Sequence, residues 1–170
     1  EYVEKVYLAT LPEGSFFKQS EHINNIKTIS FVEHVDMPPY VKKIYDLSEK
    51  KDGNILGWID NDYNLYIGSE WKIYSKDLSN AFYQMSNVET ISFDNLNTSE
   101  TTNMYYMFGG CSNLTNLSVK KSVTYLFIKY ISLSHQNSRH TTEAAGTVTV
   151  SDFPFFLKAV NLNTATRNWI

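Results

Sequence analysis

Cysteine is almost absent from this 170-residue chain: Cys111 stands alone. No disulfide can close within the chain, and no cysteine-only metal site can be built. Glycine (seven) and proline (four) are also sparse, which excludes a collagen or a Gly/Pro-rich low-complexity chain. Neither sign of charge dominates: 15 Lys plus Arg face 18 Asp plus Glu, for a net charge of −3 and a pI of about 5.8. Such a balance offers no footprint for nucleic acid and argues against adhesion to anionic lipid. Long apolar runs are missing too. The longest near-apolar stretch, Val123 to Leu133, is interrupted by Lys129 and is too short for a membrane-spanning helix. No signal-peptide pattern opens the sequence at Glu1, as expected of a mature or trimmed piece of something larger.

What is present is a core and many corners. Apolar residues make up 42% and aromatics 15% of the chain, enough for one domain with an additional lobe. Asn (16), Ser (17) and Thr (14) together far outnumber the acidic residues. These side chains bond to nearby backbone and favour turns and caps. Many short elements joined by tight corners are expected, in contrast to an ordinary helical bundle.

The chain repeats itself. A shift of 26 residues aligns Leu78, Ala81, Phe82 and Met85 with Met104, Met107, Phe108 and Cys111. These positions follow i, i+3, i+4, i+7, one face of a short helix. The same shift aligns Ser86-Asn87 with Ser112-Asn113, then Val88, Ile91 and Phe93 with Leu114, Leu117 and Val119. Residues two apart share one face of a strand. Each unit thus reads as a helical turn, an Asn corner and a short inward-facing strand. A third strand copy lies upstream: NIKTISF (25–31) matches NVETISF (87–93) at five of seven positions. A unit of this kind cannot bury its apolar face alone, so neighbouring units must stack. The expected ladder is Val88, Ile91 and Phe93 over Leu114, Leu117 and Val119 in parallel pairing. On this reading Phe108 is a core residue, and Phe108→Ala is expected to cost about 3–5 kcal/mol if its ring is buried.

Between the first two copies lies a different segment. Met37-Pro38-Pro39 is a rigid extended break and Lys51-Asp52-Gly53-Asn54 a turn. Ile55–Ile59, Leu65–Gly68 and a strand beginning at Trp71 then suggest an antiparallel meander over about 40–77. After Val119 the repeat stops. Val123–Ile128 and Gly146–Ser151 favour strand, Ser134–Ala145 reads as loop, and a short helix is expected after Pro154. The fold expected is mixed and β-rich: a short leucine-rich-repeat-like solenoid with helical turns and an inserted meander. Residues 1–119 would hold the repeats, with strands near 25–31, 87–93 and 113–119. Residues 120–170 would form a cap or an appended segment.

Here the residues carry a resemblance. Thr98-Ser99, Asn103-Met104, Met107-Phe108, Cys111, Leu114 and Leu117 resemble the repeat of bacterial BspA-like leucine-rich-repeat surface proteins. Tyr45–Ile59 and Tyr63–Phe82 are similar to the same family's entry region. The likeness covers about 16–119. It implies a noncatalytic module, secreted or displayed on a bacterial cell, that adheres to a host extracellular protein or glycan. It brings no catalytic residue and no cofactor. The competing expectation is a secreted β-rich hydrolase without a recognisable local motif.

His22, His34, His135 and His140 form no His-Glu-x-x-His and read as solvated loop residues. Cys111 occupies the apolar phase of its repeat and reads as a small buried core residue. Asp60, Asp62 and Asn64 begin like a calcium loop. Leu65 and Trp71 stand where it would need Gly and Glu, so an Asx-rich corner is favoured. Ser99–Thr102 read as helix caps. Asn97, Asn113 and Asn116 open glycosylation sequons, which the bacterial origin implied by the resemblance makes a coincidence of composition. The aromatics remain. Tyr83 and Tyr105 fall off the apolar phase and are expected to be exposed, flanking the outward strand residues Glu89, Ser92, Asn116 and Ser118. This polar-aromatic face is the candidate partner surface.

Overall fold

The structure is a computed structural model that describes residues 5–10, 17, 21–104 and 107–118, with the backbone of 142–144 and 147–149. It is β-rich, with parallel and antiparallel pairing mixed. An eight-stranded sheet runs β10-β11-β9-β7-β2-β5-β4-β3, and a three-stranded sheet runs β1-β6-β8. The strands are β1 (Lys5–Tyr7), β2 (Thr28–Val32), β3 (Lys43–Asp46), β4 (Leu56–Ile59), β5 (Asn64–Gly68) and β6 (Lys72–Tyr74). They are followed by β7 (Thr90–Ser92), β8 (Leu96–Asn97), β9 (Asn116–Ser118), β10 (Thr142–Ala144) and β11 (Thr147–Thr149). Among the described residues the one helical element is a 3-10 turn, Ile23–Asn25.

Period-two alternation builds the larger sheet. In β2 the residues alternate half-buried and buried, and β7 and β9 repeat the pattern over three residues each. Ile29 pairs in register with Leu65 on one side and Ile91 on the other, and Ile91 pairs with Leu117, all parallel. All four side chains are at most 1% exposed. Full burial of such a side chain contributes about 1.5–3 kcal/mol, so the four together contribute about 6–12 kcal/mol. A second row repeats it: Phe31 pairs with Ile67 and stacks on Phe93 at 5.5 Å between ring centroids. Between them lie the expected strand copies and the expected ladder. Val88 and Leu114 are fully buried beside it; Val119 lies outside the described residues.

Leu65, Ile91 and Leu117 are spaced 26 residues apart, so β5, β7 and β9 are successive copies in the chain. Only β7 and β9 are neighbours in space. Between β5 and β7 sits β2, 36 residues before β5 in register and 62 before β7. In the smaller sheet the same two units touch directly, with β6 beside β8 and β1 on the outer side of β6. The amino-terminal segment therefore contributes an outer strand to one sheet and an inserted strand to the other.

The turns between strands are not helices. Leu78, Ala81, Phe82 and Met85 are all buried, as the helical phase required. Their backbone, however, is a chain of three-residue turns, with Ala81, Tyr83, Met85 and Val88 donating to Leu78, Asn80, Phe82 and Met85. Two residues interrupt a helix by entering the left-handed region, Asn80 (φ 57°) and Gln84 (φ 62°). The amides of Phe82 and Gln84 instead donate to the carbonyls of Met107 and Gly109 in the next unit. Stacking takes the hydrogen bonds that a helix would have kept. The next copy has Gly110 at the position of Gln84, again left-handed (φ 79°), and a Cβ there would meet Gln84 Cα at 3.1 Å.

Other boundaries differ from expectation. The meander is β3-β4-β5, antiparallel throughout; the strand expected to begin at Trp71 is β6, Lys72–Tyr74, which leaves it and pairs parallel with β1. Residues 142–144, expected in a loop, form β10, which pairs antiparallel with β11. β11 falls within the strand expected at Gly146–Ser151, and it joins β9 antiparallel. Thr101, instead of capping a helix, is buried and donates its hydroxyl to the Ser75 carbonyl at 2.7 Å. The segments 123–128 and 154–160 lie outside the described residues.

Asn95 locks the corners together. Its side-chain amide donates to the carbonyls of Val32 (3.0 Å), Trp71 (3.0 Å) and Ser69 (3.4 Å). Its backbone amide donates to Phe31, and its carbonyl accepts from Ile73. Asn95 is 1% exposed, so truncating it removes the side-chain donor these three carbonyls share at a buried corner. Asn95→Ala should cost about 2–4 kcal/mol in urea unfolding; a loss under about 0.5 kcal/mol would show that the corners hold without it. Phe108 is half-buried against the core and stacks on Phe82 at 6.0 Å. Phe108→Ala should therefore cost about 2–3 kcal/mol, less than a fully enclosed ring.

Candidate functional site

The outward residues of the larger sheet form two uncharged rows. One runs Asn64, Thr28, Thr90, Asn116 and the other Tyr66, Ser30, Ser92, Ser118, each set in direct register. Apart from Tyr66, these are residues of a polar sheet face, half-buried by their neighbours. Thr28 donates its hydroxyl to Asn64 Oδ1 at 2.8 Å, and Ser92 donates to Asp94 Oδ2 at 2.9 Å. Backbone pairing carries the surface on to β11.

At its far end the face is covered. Trp58 pairs with Tyr66 in register and stacks on it at 5.5 Å, 18° between planes. Trp58 is only 1% exposed, because the connection after β2 passes over this end. Gly68 makes that passage fit: a Cβ there would stand 2.2 Å from the His34 carbonyl and 2.8 Å from the Trp58 ring. Burial raises the Tyr66 phenol above its ordinary range, and its hydrogen bond to Asp60 adds to this. Asp60 is the Asx corner expected: Oδ1 accepts from the amides of Asp62 and Asn64, and Oδ2 from Asn64 Nδ2.

The sequence-selected residues are partly united. Ser92 and Ser118 are register partners, and Asn116 pairs with Thr90 two residues earlier. Glu89 directly precedes β7 with an exposed side chain, while its carbonyl accepts from the amides of Thr115 and Asn116. Tyr83 is half-buried, where exposure was expected. It belongs to the turn whose amides bind residues 107–109. Tyr105 lies outside the described residues, as do His135 and His140. His22 packs edge-on against Tyr63 at 6.0 Å, and His34 is about half-exposed. Cys111 is buried, donates Sγ–H to the Phe82 carbonyl at 3.0 Å, and has its thiol pKa pushed up to about 12 by burial. It is an inert core thiol.

Sequence reasoning missed a second surface, on the smaller sheet. Lys5-Val6-Tyr7 and Lys72-Ile73-Tyr74 pair residue for residue, so Lys and Tyr project together while Val6 and Ile73 are buried. Glu100 accepts from Lys5 Nζ (2.6 Å) and the Tyr7 hydroxyl (2.8 Å). Lys5 lies over the Tyr74 ring and Lys76 over the Tyr7 ring, at 4.7 and 4.6 Å. Lys76 also pairs with Glu49 at 3.2 Å. The Lys5 and Tyr7 bonds hold Glu100 below the usual carboxylate range. The two K-[VI]-Y strings were the available signal.

Among the described residues no group of three His, Cys, Asp or Glu could hold a metal ion, and no helix is long and apolar enough to cross a membrane. No protein-family model, curated protein or solved structure matches the chain.

Asp46 gives a test of the corners by pH. Desolvation works to raise its pKa, but the hydroxyl and amide of Ser48, the amide of Gly53 and the charge of Lys51 together lower it below 3.8. A carboxyl with a depressed folded pKa adds stability above its unfolded pKa, and that stability is lost as pH falls through the folded value. Stability should therefore decline below about pH 4, and Asp46→Asn should flatten that acid limb. An unchanged limb in the variant would remove Asp46 from the account.

Proposed function

We propose that the chain is a noncatalytic repeat module, secreted or displayed on a bacterial cell, that binds a host extracellular protein or glycan through the uncovered face of its larger sheet. The finer architecture in this reading is a leucine-rich-repeat solenoid of the BspA-like kind. The observation that carries it is the register of Ser92 on Ser118, with Ser30 and Tyr66 continuing the row. Stacked units present equivalent positions along one surface, and that is how repeat proteins bind partners. The face is rich in hydroxyl and amide groups that can bond to a sugar or a peptide backbone. Near-neutral charge makes contact hydrogen-bonded and aromatic, with little dependence on salt.

A binding screen of the full chain against extracellular-matrix proteins and glycans should return a ligand of modest affinity. Ser92→Arg with Ser118→Arg should weaken it at least about tenfold, equivalent to about 1.4 kcal/mol. Tyr83→Ala with Tyr105→Ala should weaken it too, with only a small fall in the thermal midpoint from the half-buried Tyr83. Binding untouched by the serine pair would place the partner elsewhere. Unfolding of the tyrosine pair without selective loss of ligand would make those residues part of the core.

A further inference from the structure

We propose that β2 can be exchanged between two copies of this chain, so that the slot between β5 and β7 in one molecule receives β2 of a second. Three observations carry this. First, β2 is inserted into a series to which it does not belong by spacing: β5 and β7 are consecutive 26-residue copies, yet β2 separates them, while β6 and β8 of the same units pair directly. Second, the slot is built for this strand. It offers five register partners on β5 and three on β7, encloses Ile29 and Phe31 almost completely, and binds the Val32 carbonyl through Asn95. Third, the connection from β2 to β3 is an exposed spacer. His34 is held where its carbonyl crosses Gly68, and the Val35 amide donates to Glu70 at 3.3 Å. Beyond them Asp36, Pro38, Pro39 and Tyr40 are exposed, Tyr40 at 79%.

Pro38-Pro39 stiffens that spacer, which bends at Pro39 without closing a hydrogen-bonded turn. In the exchanged dimer the chain before the spacer crosses as one piece, so β1 and β2 keep their pairings on the second molecule, and only the path of residues 36–41 changes. Closed and exchanged forms then differ by the path of the spacer and by concentration, the condition under which identical elements swap. Because β2 is paired on both sides, exchange requires opening of the sheet, so the ratio is set while the chain folds. This inference does not depend on the ligand face: a module that binds no glycan or matrix protein could still exchange, and the reverse also holds.

The test uses two full-length variants, Ser30→Cys and Ser92→Cys, whose positions are register partners on the polar face. A single chain carrying both, refolded dilute, should close an internal disulfide; that result establishes that the variants fold with β2 beside β7. The two single variants are then mixed, unfolded, refolded together at high concentration and oxidised. A covalent dimer joining position 30 of one chain to position 92 of the other is expected, its yield falling as refolding is diluted. Ser30→Cys with Ser118→Cys is the control: two strand spacings, about 10 Å, are too far for a disulfide. Gly-Ser residues inserted after Pro39 should lower the dimer yield. Monomer at every concentration, or equal cross-linking by the control pair, would overturn the proposal.

Discussion

Parallel pairing on both flanks of β2 is the constraint on which the larger sheet depends. Ile29 joins Leu65 to Ile91, and Phe31 joins Ile67 to the ring of Phe93. Without that strand, two units related by 26 residues would face one another across an empty apolar slot. The backbone shows the same dependence. The Lys27 amide donates to Tyr63, the Glu89 amide to Lys27, and the amides of Thr115 and Asn116 to Glu89. One hydrogen-bond line thus crosses four chain segments from the meander to the last copy. Each segment satisfies its polar groups only by lying beside the next.

Corners do the rest. A unit folded from turns alone would leave carbonyls pointing inward, and this chain answers with Asn, Ser and Thr at the bends. Asn95 closes three carbonyls at once, Thr101 reaches Ser75, and Thr115 reaches the Glu89 carbonyl with its hydroxyl as well as its amide. The last two side-chain bonds span 26 residues each. The polar composition that first suggested tight corners is the means by which one unit grips its neighbour. It also explains why the turns are not helices: amides at Phe82 and Gln84 are worth more bonded across the stack than along a single isolated turn.

Much of this was legible in the amino-acid order. Identity between residues 25–31 and 87–93 placed β2 and β7 in the right mutual register, and the 26-residue shift placed β7 on β9. Cys111 and the Asp60 corner also behave as their positions implied. The helical turns were misread because periodicity reports which side chains are buried, not how the backbone closes its bonds. Leu78, Ala81, Phe82 and Met85 satisfy the period while Asn80 and Gln84 break the helix. The insertion of β2 was hidden for another reason. Spacing identifies equivalent segments without ordering them in space, and Leu65–Gly68, assigned to the meander, concealed its equivalence to Ile91–Phe93. The ion-pair surface around Glu100 joins residues 95 positions apart, beyond any local pattern. On the candidate face, Ser92 and Ser118 were foreseen together, whereas the cover over Trp58 depended on a long connection with no periodic signal.

The order β5-β2-β7 is the claim from which the rest follows, and it can be read directly by nuclear magnetic resonance. Cross-strand Overhauser contacts from the Ile29 backbone should reach both Leu65 and Ile91, while Leu65 and Ile91 show none to each other, being about 10 Å apart across two strand spacings. Direct backbone contacts between Leu65 and Ile91, with Ile29 placed at an edge, would contradict the inserted strand and the stack built around it.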